Sequence, residues 1–476
     1  MKYLILGIDG GDLSTFEAFK MPFLEQLISN DTSIELNEDL FSRGWVEIIS
    51  GKHGSEHNGF YLRPKLGGTK EFTLSYSFSD LKKNINSDLI WELVEKKGFK
   101  SGTINVPTTY PSPSVEGFFV SGAGGGLTKV DGIPDEMVSS DWIKQVLEDH
   151  NYILDLRLKP SGITEINLLF DKLEEMLINR VKSFIALVEK QPVDFGFIAF
   201  RAPVVVTYLA TYEIERIRRG ESKKGEVWHD RLTQFYSIFD DQIKLIFEKL
   251  SPENHIVTAD HGTRPQKFHV NYNVFLEESG FLKKNYTVVD RVKWVLKRVR
   301  KALKNPMGFN YINSTLGEVD YQNSKVFANW YYNGLYVNDE SRFGGPIKED
   351  QIDEVVNQVC DRFNAYGPAK EFGMKARPYR KNFTGVVFNG ELPDIWIDAP
   401  DECYHFGKNK NFVDKSPWYR KISTLKYVPS SMFTGTKGRN PICIMNKELS
   451  ELIAEDDDMD LTLIYHLTKR YFEGIK

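Results

Sequence analysis

The sequence predicts an α/β protein with a mostly parallel central sheet, helices on both faces and inserted cap segments. Three observations carry this. Compact apolar runs stop at a carboxylate or at turn residues, as "KYLILGID" (2–9) does before Gly10-Gly11. Such runs read as strands buried on both faces. Stretches of helical period lie between them, and the regular alternation of the two patterns is that of parallel strands joined by helices.

In chain order, the first strand is 2–9. Helical periodicity follows in "PFLEQLIS" (22–29) and "SDLIWELVEKKG" (87–98). "KSGTINV" (100–106) is the second strand. The longest periodic stretch, 166–190, precedes a third strand, "VDFGFIAF" (193–200). A helix over 229–249 leads into a fourth, "HIVTA" (255–259). Residues 320–476 resume short strands, "VFANWYY", "GLYVN" and "LPDIWID", with a helix over 350–365. Segment 286–318 breaks the pattern. Its "DRVKWVLKRVRKALKNP" is basic and amphipathic with no strand partner. It is expected as a solvated insertion helix with its apolar face on the protein, rather than as a membrane-surface element over 290–304. The expected organisation is one core formed by 1–285 and 319–476, with 286–318 inserted.

With 476 residues the chain exceeds one ordinary core, so two domains or one large domain with insertions is expected. Hydrophobic residues make up 41 % and charged residues 27 %, an ordinary balance for a soluble globular protein. A net charge of −5 gives no general pull toward nucleic acid or membrane. Cys360, Cys403 and Cys443 are too few and too scattered for a disulfide framework or a cysteine zinc site. A reducing, cytoplasmic compartment is expected. "MKYLILGIDGG" is too short for a signal peptide, and no apolar run approaches the ~20 residues of a membrane span.

Ligands in sheets of this kind bind at the carboxyl ends of the strands. That sets Asp9, the loop after Phe200 and Asp260-His261 on one edge. The stretch "HIVTADHGTRP" (255–265) ends a strand on a carboxylate and an imidazole side by side. By themselves these two residues read equally as a cation-binding pair or as a turn with a helix cap. Asp12 reads as the cap of the helix after the first loop.

Several blocks, in order, resemble the alkaline phosphatase superfamily, and within it the type I phosphodiesterase / nucleotide pyrophosphatase group. They are "GIDGG" (7–11), "ISGKHGSEHNGF" (49–60), "INVPTTYP" (104–111), "FFVSGAGGG" (118–126), "TADHG" (258–262), "FHVNYNVFLEESGFL" (268–282), "GLYVNDESRFGG" (334–345) and "ELPDI" (391–395). The resemblance implies phosphoryl transfer through a phospho-Thr or phospho-Ser, with two metal ions about 4 Å apart on the attacking and leaving oxygens. It assigns one metal to Asp9, Asp260 and His261. Two oxygens and a nitrogen suit Zn²⁺ or Mn²⁺.

The second metal does not carry over. Val204 stands where the resemblance places Asp, Tyr208 where it places His, and Lys437 where it places a C-terminal His. Among residues 194–210 the only carboxylate is Asp194, at the start of the strand, and there is no His. Strict counting back from Gly51 in "DLFSRGWVEIISGK" (39–52) puts Phe41 at the nucleophile position, with Ser42 one residue on. Ser42 reads either as the nucleophile or as an ordinary cap of the helix that "SRGW" opens. Lys437, Arg201 and Arg43 are cations that could lie at the vacated metal position and bind the oxyanion. His57 is expected as a hydrogen-bonding scaffold residue, and His269 as a core residue with a pocket-lining alternative.

The expected function is therefore a phosphoric ester hydrolase or phosphotransferase, with a phosphodiester as its expected ester. It would use one divalent ion on Asp9, Asp260 and His261, with Ser42 attacking and Lys437 and Arg201 stabilising charge. The alternatives are a pseudoenzyme that binds a phosphorylated or sulfated ligand or a protein partner, and a structural subunit of an assembly. The expected partner is a small phosphorylated molecule and not a nucleic acid.

Overall fold

The computed structural model describes residues 1–123, 132–156, 163–285, 318–329, 331–407, 411–416, 419–420, 427–429 and 433–475. The basic stretch 286–317 lies outside the described residues. The chain divides into two compact units, one of Met1–Tyr61, Ser75–Arg264 and Arg420–Lys476, the other of Leu62–Leu74 and Pro265–Tyr419.

The first unit is built on a seven-stranded sheet. Its order is Thr32–Ser33, Cys443–Met445, Asn254–Thr258, Tyr3–Ile8, Phe195–Phe200, Ser101–Ile104 and Phe118–Val120. The last five are parallel, and Cys443–Met445 and Thr32–Ser33 add an antiparallel edge. Every residue of Tyr3–Ile8 and of Phe195–Phe200 is buried, because helices cover both faces. On one face Trp45 meets Phe197 and Trp91 meets Phe119 edge-on. On the other, Phe200 packs against Phe239 of the helix Val227–Leu250. Each such buried side chain contributes roughly 1.5–3 kcal/mol.

The long helix Ile166–Lys190 buries Leu169, Phe170, Leu173, Met176, Leu177, Val181, Phe184 and Leu187, the three-and-four spacing of one helical face. Glu165 caps it by accepting the Leu168 amide at 2.9 Å. At its other end Gln191 and Pro192 turn the chain into the strand that holds Phe195.

The second unit carries a four-stranded antiparallel sheet ordered Val326–Ala328, Gly334–Val337, Ile395–Asp398 and Lys375–Pro378. The helix Ile352–Ala365 belongs to it. A three-stranded sheet sets Phe268–Val270 between Cys403–His405 and Val413–Lys415. His269 is a buried residue of its middle strand. Within this unit Asp394 receives Arg342 and Arg380, each at 2.7 Å, so its buried charge is compensated.

Two smaller expectations have clear outcomes. Asp12 caps the turn Leu13–Phe16, accepting the Thr15 amide at 2.9 Å. Ser42 is not a helix cap. The helix Gly44–Ser50 has Arg43 at its cap position and no side-chain cap bond. The Ser42 hydroxyl instead donates to Asp39, which folds the turn before the helix.

Candidate metal centre

Strand register assembles the site. Ile8 is level with Phe200, and Gly7 with Thr258. One residue further along each of the first two strands are Asp9 and Arg201. Two residues past Thr258 comes Asp260, level with Asp9. The Asp9 amide donates to the Phe200 carbonyl at 2.9 Å, which carries the pairing one step beyond the strand. Gly10 then turns the chain with φ +68°. A Cβ there would lie 2.5 Å from Val204 Cγ2, so conformation and space both require glycine.

His261 fixes the chemistry. Its Nδ1 lies 2.7 Å from the Gly262 carbonyl oxygen, which can only accept. Nδ1 therefore carries the proton, and the Nε2 lone pair faces inward. Nε2 lies 3.5 Å from Asp9 Oδ1 and 3.5 Å from Asp260 Oδ2. All three donor atoms fall within 4.8 Å of one another. The Tyr208 hydroxyl lies 3.4 Å from the same nitrogen, within hydrogen-bond distance. Two carboxylates beside this lone pair form a donor set that a cation between them would satisfy, and two oxygens with one imidazole suit zinc or manganese. The residues fit the metal that the sequence implies.

Electrostatics point the same way. Burial, then repulsion from Asp260, pushes Asp9 up to about 7. Burial also raises Asp260 to about 6, against the pull of Lys437. Burial and the nearby Lys437 charge push His261 down to about 4, so its imidazole is neutral and free to ligate at pH 7. Tyr61 donates to Asp260 Oδ2 at 3.4 Å and the Gly10 amide to Oδ1 at 3.4 Å, fixing that carboxylate from both sides.

Two cations flank the cluster. Arg201 Nε lies 3.8 Å from Asp9 Oδ2 and 3.5 Å from Asp155 Oδ1, with its side chain 29 % exposed. Lys437 sits in the strand Gly435–Gly438, which pairs with Gly262–Pro265 just after His261. Its ammonium lies 2.6 Å from Glu38 Oε1, donates to the Ser42 carbonyl at 3.0 Å and stands 4.4 Å from the centre of the Tyr61 ring. Burial works against this charge, but Glu38 and Asp260 more than offset it and hold Lys437 above its ordinary value.

Of the residues expected from sequence, the structure brings Asp9, Asp260 and His261 together and adds Arg201 at Asp9. Lys437 reaches the site by its charge on Asp260. Arg43 stacks on Tyr61 and Tyr76, at 5.1 and 5.8 Å from their ring centres. The Ser42 hydroxyl is bonded to Asp39 at 2.8 Å, and Ser42 meets Lys437 through its backbone oxygen. Phe41 is buried against Phe60. His57 is a scaffold residue whose Nδ1 accepts the Gly59 amide at 2.8 Å. Sequence reasoning missed Glu38, Asp39, Tyr61 and Asp155, and it saw Tyr208 only as a lost histidine. Tyr208 carried the one available signal: it falls one helical turn after Val204, on the same face.

The site is a candidate cation site at the carboxyl edge of a five-stranded parallel array in an α/β protein. The chain belongs to the type I phosphodiesterase / nucleotide pyrophosphatase family, which it matches over residues 3–418, within the alkaline phosphatase superfamily. No curated protein matches it by sequence. Similar solved structures include phosphonoacetate hydrolase from Sinorhizobium meliloti 1021 in complex with phosphonoformate. The two share 10 % identity over 98 % of this chain and 95 % of that one, with a TM-score of 0.53. Murine ectonucleotide pyrophosphatase / phosphodiesterase 5 is 13 % identical over 99 % of this chain and 95 % of that one, with a TM-score of 0.48. The likeness to the hydrolase concerns the fold.

Proposed function

We propose that this chain hydrolyses phosphoric esters, phosphodiesters foremost, with one divalent metal ion on Asp9, Asp260 and His261. The observation that carries the reading is the convergence of these three buried donors around the unprotonated Nε2 of His261. The ion would supply positive charge to a phosphoryl oxygen. Val204, Tyr208 and Lys437 replace a second set of ligands, and Lys437 supplies a fixed ammonium there instead. Arg201, partly exposed, would bind another oxygen of the phosphoryl group.

Ser42 is the nucleophile in this reading. Its hydroxyl donates to Asp39 at 2.8 Å, so Asp39 is placed to take the proton as Oγ bonds to phosphorus. The bond from phosphorus to the leaving alcohol breaks, and water then hydrolyses the phosphoserine. One observation favours a second reading, binding of a phosphorylated or sulfated ligand without turnover. Ser42 is 1 % exposed, and a Cβ on Gly54 would lie 2.1 Å from its Oγ, so the hydroxyl is packed like a structural one.

Metal content by mass spectrometry should give one ion per chain, lost in Asp260→Ala. Hydrolysis of bis-p-nitrophenyl phosphate and p-nitrophenyl phosphate should then require Asp9 and Ser42. Full activity in Ser42→Ala removes Ser42 as nucleophile. A wild type inert toward phosphate monoesters, phosphate diesters and sulfate esters decides for the second reading.

A further inference from the structure

We infer that Tyr208 is a fourth ligand of the ion held by Asp9, Asp260 and His261, an inference that rests on the metal reading above. Tyr208 Oη lies 3.4 Å from His261 Nε2. The same nitrogen stands 3.5 Å from Asp9 Oδ1 and 3.5 Å from Asp260 Oδ2. A tetrahedral ion with bonds near 2.1 Å has ligand-to-ligand edges of roughly 3.4 Å. Three oxygens thus stand from Nε2 at the edge length of such a tetrahedron, and the phenol supplies the donor that the three-residue set lacks.

The placement is built in. Tyr208 lies on the helix Ala202–Arg218, and its carbonyl accepts the Thr434 amide at 2.8 Å. Thr434 Oγ1 also donates to the Leu209 carbonyl at 2.8 Å, so the helix is fastened to the segment that leads to Lys437. The Tyr208 ring lies nearly parallel to the His261 ring, at 21° and 6.1 Å between centres, and meets Phe433 edge-on. One turn earlier, Val204 packs against Gly10 and offers no donor. Two of the three positions that would have served a second ion thus diverge: Val204 fills one with hydrocarbon, and Tyr208 turns its oxygen to the first ion.

The arrangement has a consequence for Ser42. With a protein oxygen in the fourth position, its hydroxyl is not needed as a ligand and is available to Asp39. A phosphoryl oxygen would join as a fifth ligand, an expansion that zinc tolerates.

The test uses the full chain with Zn²⁺ and Co²⁺ as probes, comparing wild type with Tyr208→Phe and Tyr208→His. Zinc affinity is read by competition with a chelator. Tyr208→Phe should weaken it on the order of 10–100-fold or more, since even outer partners of a metal ligand cost that much. Tyr208→His, which restores a donor, should bind within a few-fold of wild type. The Co²⁺ absorption of wild type should be intense, as four-coordinate sites are, and should fall in Tyr208→Phe as water raises the coordination number. Unchanged affinity and an unchanged Co²⁺ spectrum in Tyr208→Phe overturn the inference and leave the three-ligand site standing. Failure of wild type to bind either ion overturns both. Equal loss in Tyr208→Phe and Tyr208→His, with the cobalt spectrum of the bound fraction unaltered, assigns Tyr208 to packing and also overturns it.

Discussion

Stripping the metal should destabilise this protein far more at pH 8 than at pH 5. Asp9 rises from an ordinary 3.8 to about 7, and Asp260 from 3.8 to about 6, when burial outweighs the nearby Arg201 and Lys437 charges and no metal ion adds to them. A group raised in the folded state is harmless below its unfolded value, and its stabilising contribution is lost as pH climbs through the folded one. For Asp9 the window runs from about pH 4 to pH 7. A shift of about three units at 1.36 kcal/mol each makes the ionised Asp9 cost roughly 4 kcal/mol above pH 7. Asp260 shares part of that cost, because the two repel each other and titrate together. A divalent ion between them removes the penalty. The assay is urea unfolding of zinc-loaded and EDTA-treated protein at both pH values, followed by tryptophan fluorescence. The loaded protein should change little between them, the stripped protein should lose several kcal/mol on going to pH 8, and Asp9→Asn should flatten the stripped profile. Equal midpoints for loaded and stripped protein at pH 8 would refute the reasoning.

Other consequences follow from the same geometry. Lys437→Met leaves the buried Glu38 without its cation and should cost about 3–5 kcal/mol in denaturant unfolding. The double variant Glu38→Gln/Lys437→Met should recover most of that, and equal losses in the single and double variants would deny the pairing. Gly44→Ala puts a Cβ 2.3 Å from the Asp260 carbonyl oxygen, so it should weaken zinc binding although residue 44 is no ligand. Ser42→Ala should lose turnover of bis-p-nitrophenyl phosphate while costing about 1 kcal/mol of stability, the ordinary worth of its bond to Asp39. Arg201→Gln should raise KM for phosphate esters more than it lowers metal content, which mass spectrometry of the same sample checks.

Four strands of the main sheet were legible because each carries its own signal. "YLILGI" and "FGFIAF" are apolar at every position, which only burial on both faces explains. The helices 166–190 and 227–250 are long enough for their period to show. The short antiparallel strand Cys443–Met445 was not read, since three residues carry no period and its place in the sheet is set by Asn254–Thr258 alongside it. The bounds of the two units were not read for a related reason. Leu62–Leu74 joins residues 265–419 through packing across nearly two hundred positions, and nothing in its composition announces that.

At the site, the sequence by itself singled out Asp9, Asp260 and His261 as candidate metal donors and set Val204, Tyr208 and Lys437 where the resemblance places the ligands of a second ion. Asp9 and Asp260-His261 each end a strand, and parallel strands bring their carboxyl ends to one edge whatever else happens. Only the tertiary structure decided what the remaining side chains do there. It tied the Ser42 hydroxyl to Asp39, gave Lys437 a buried carboxylate in Glu38, and turned the phenol of Tyr208 onto His261. Those contacts join residues tens to hundreds of positions apart or depend on one turn of backbone. Their physical cause is the cost of leaving a buried charge or polar group unpaired, which is settled only when the whole chain has folded around it.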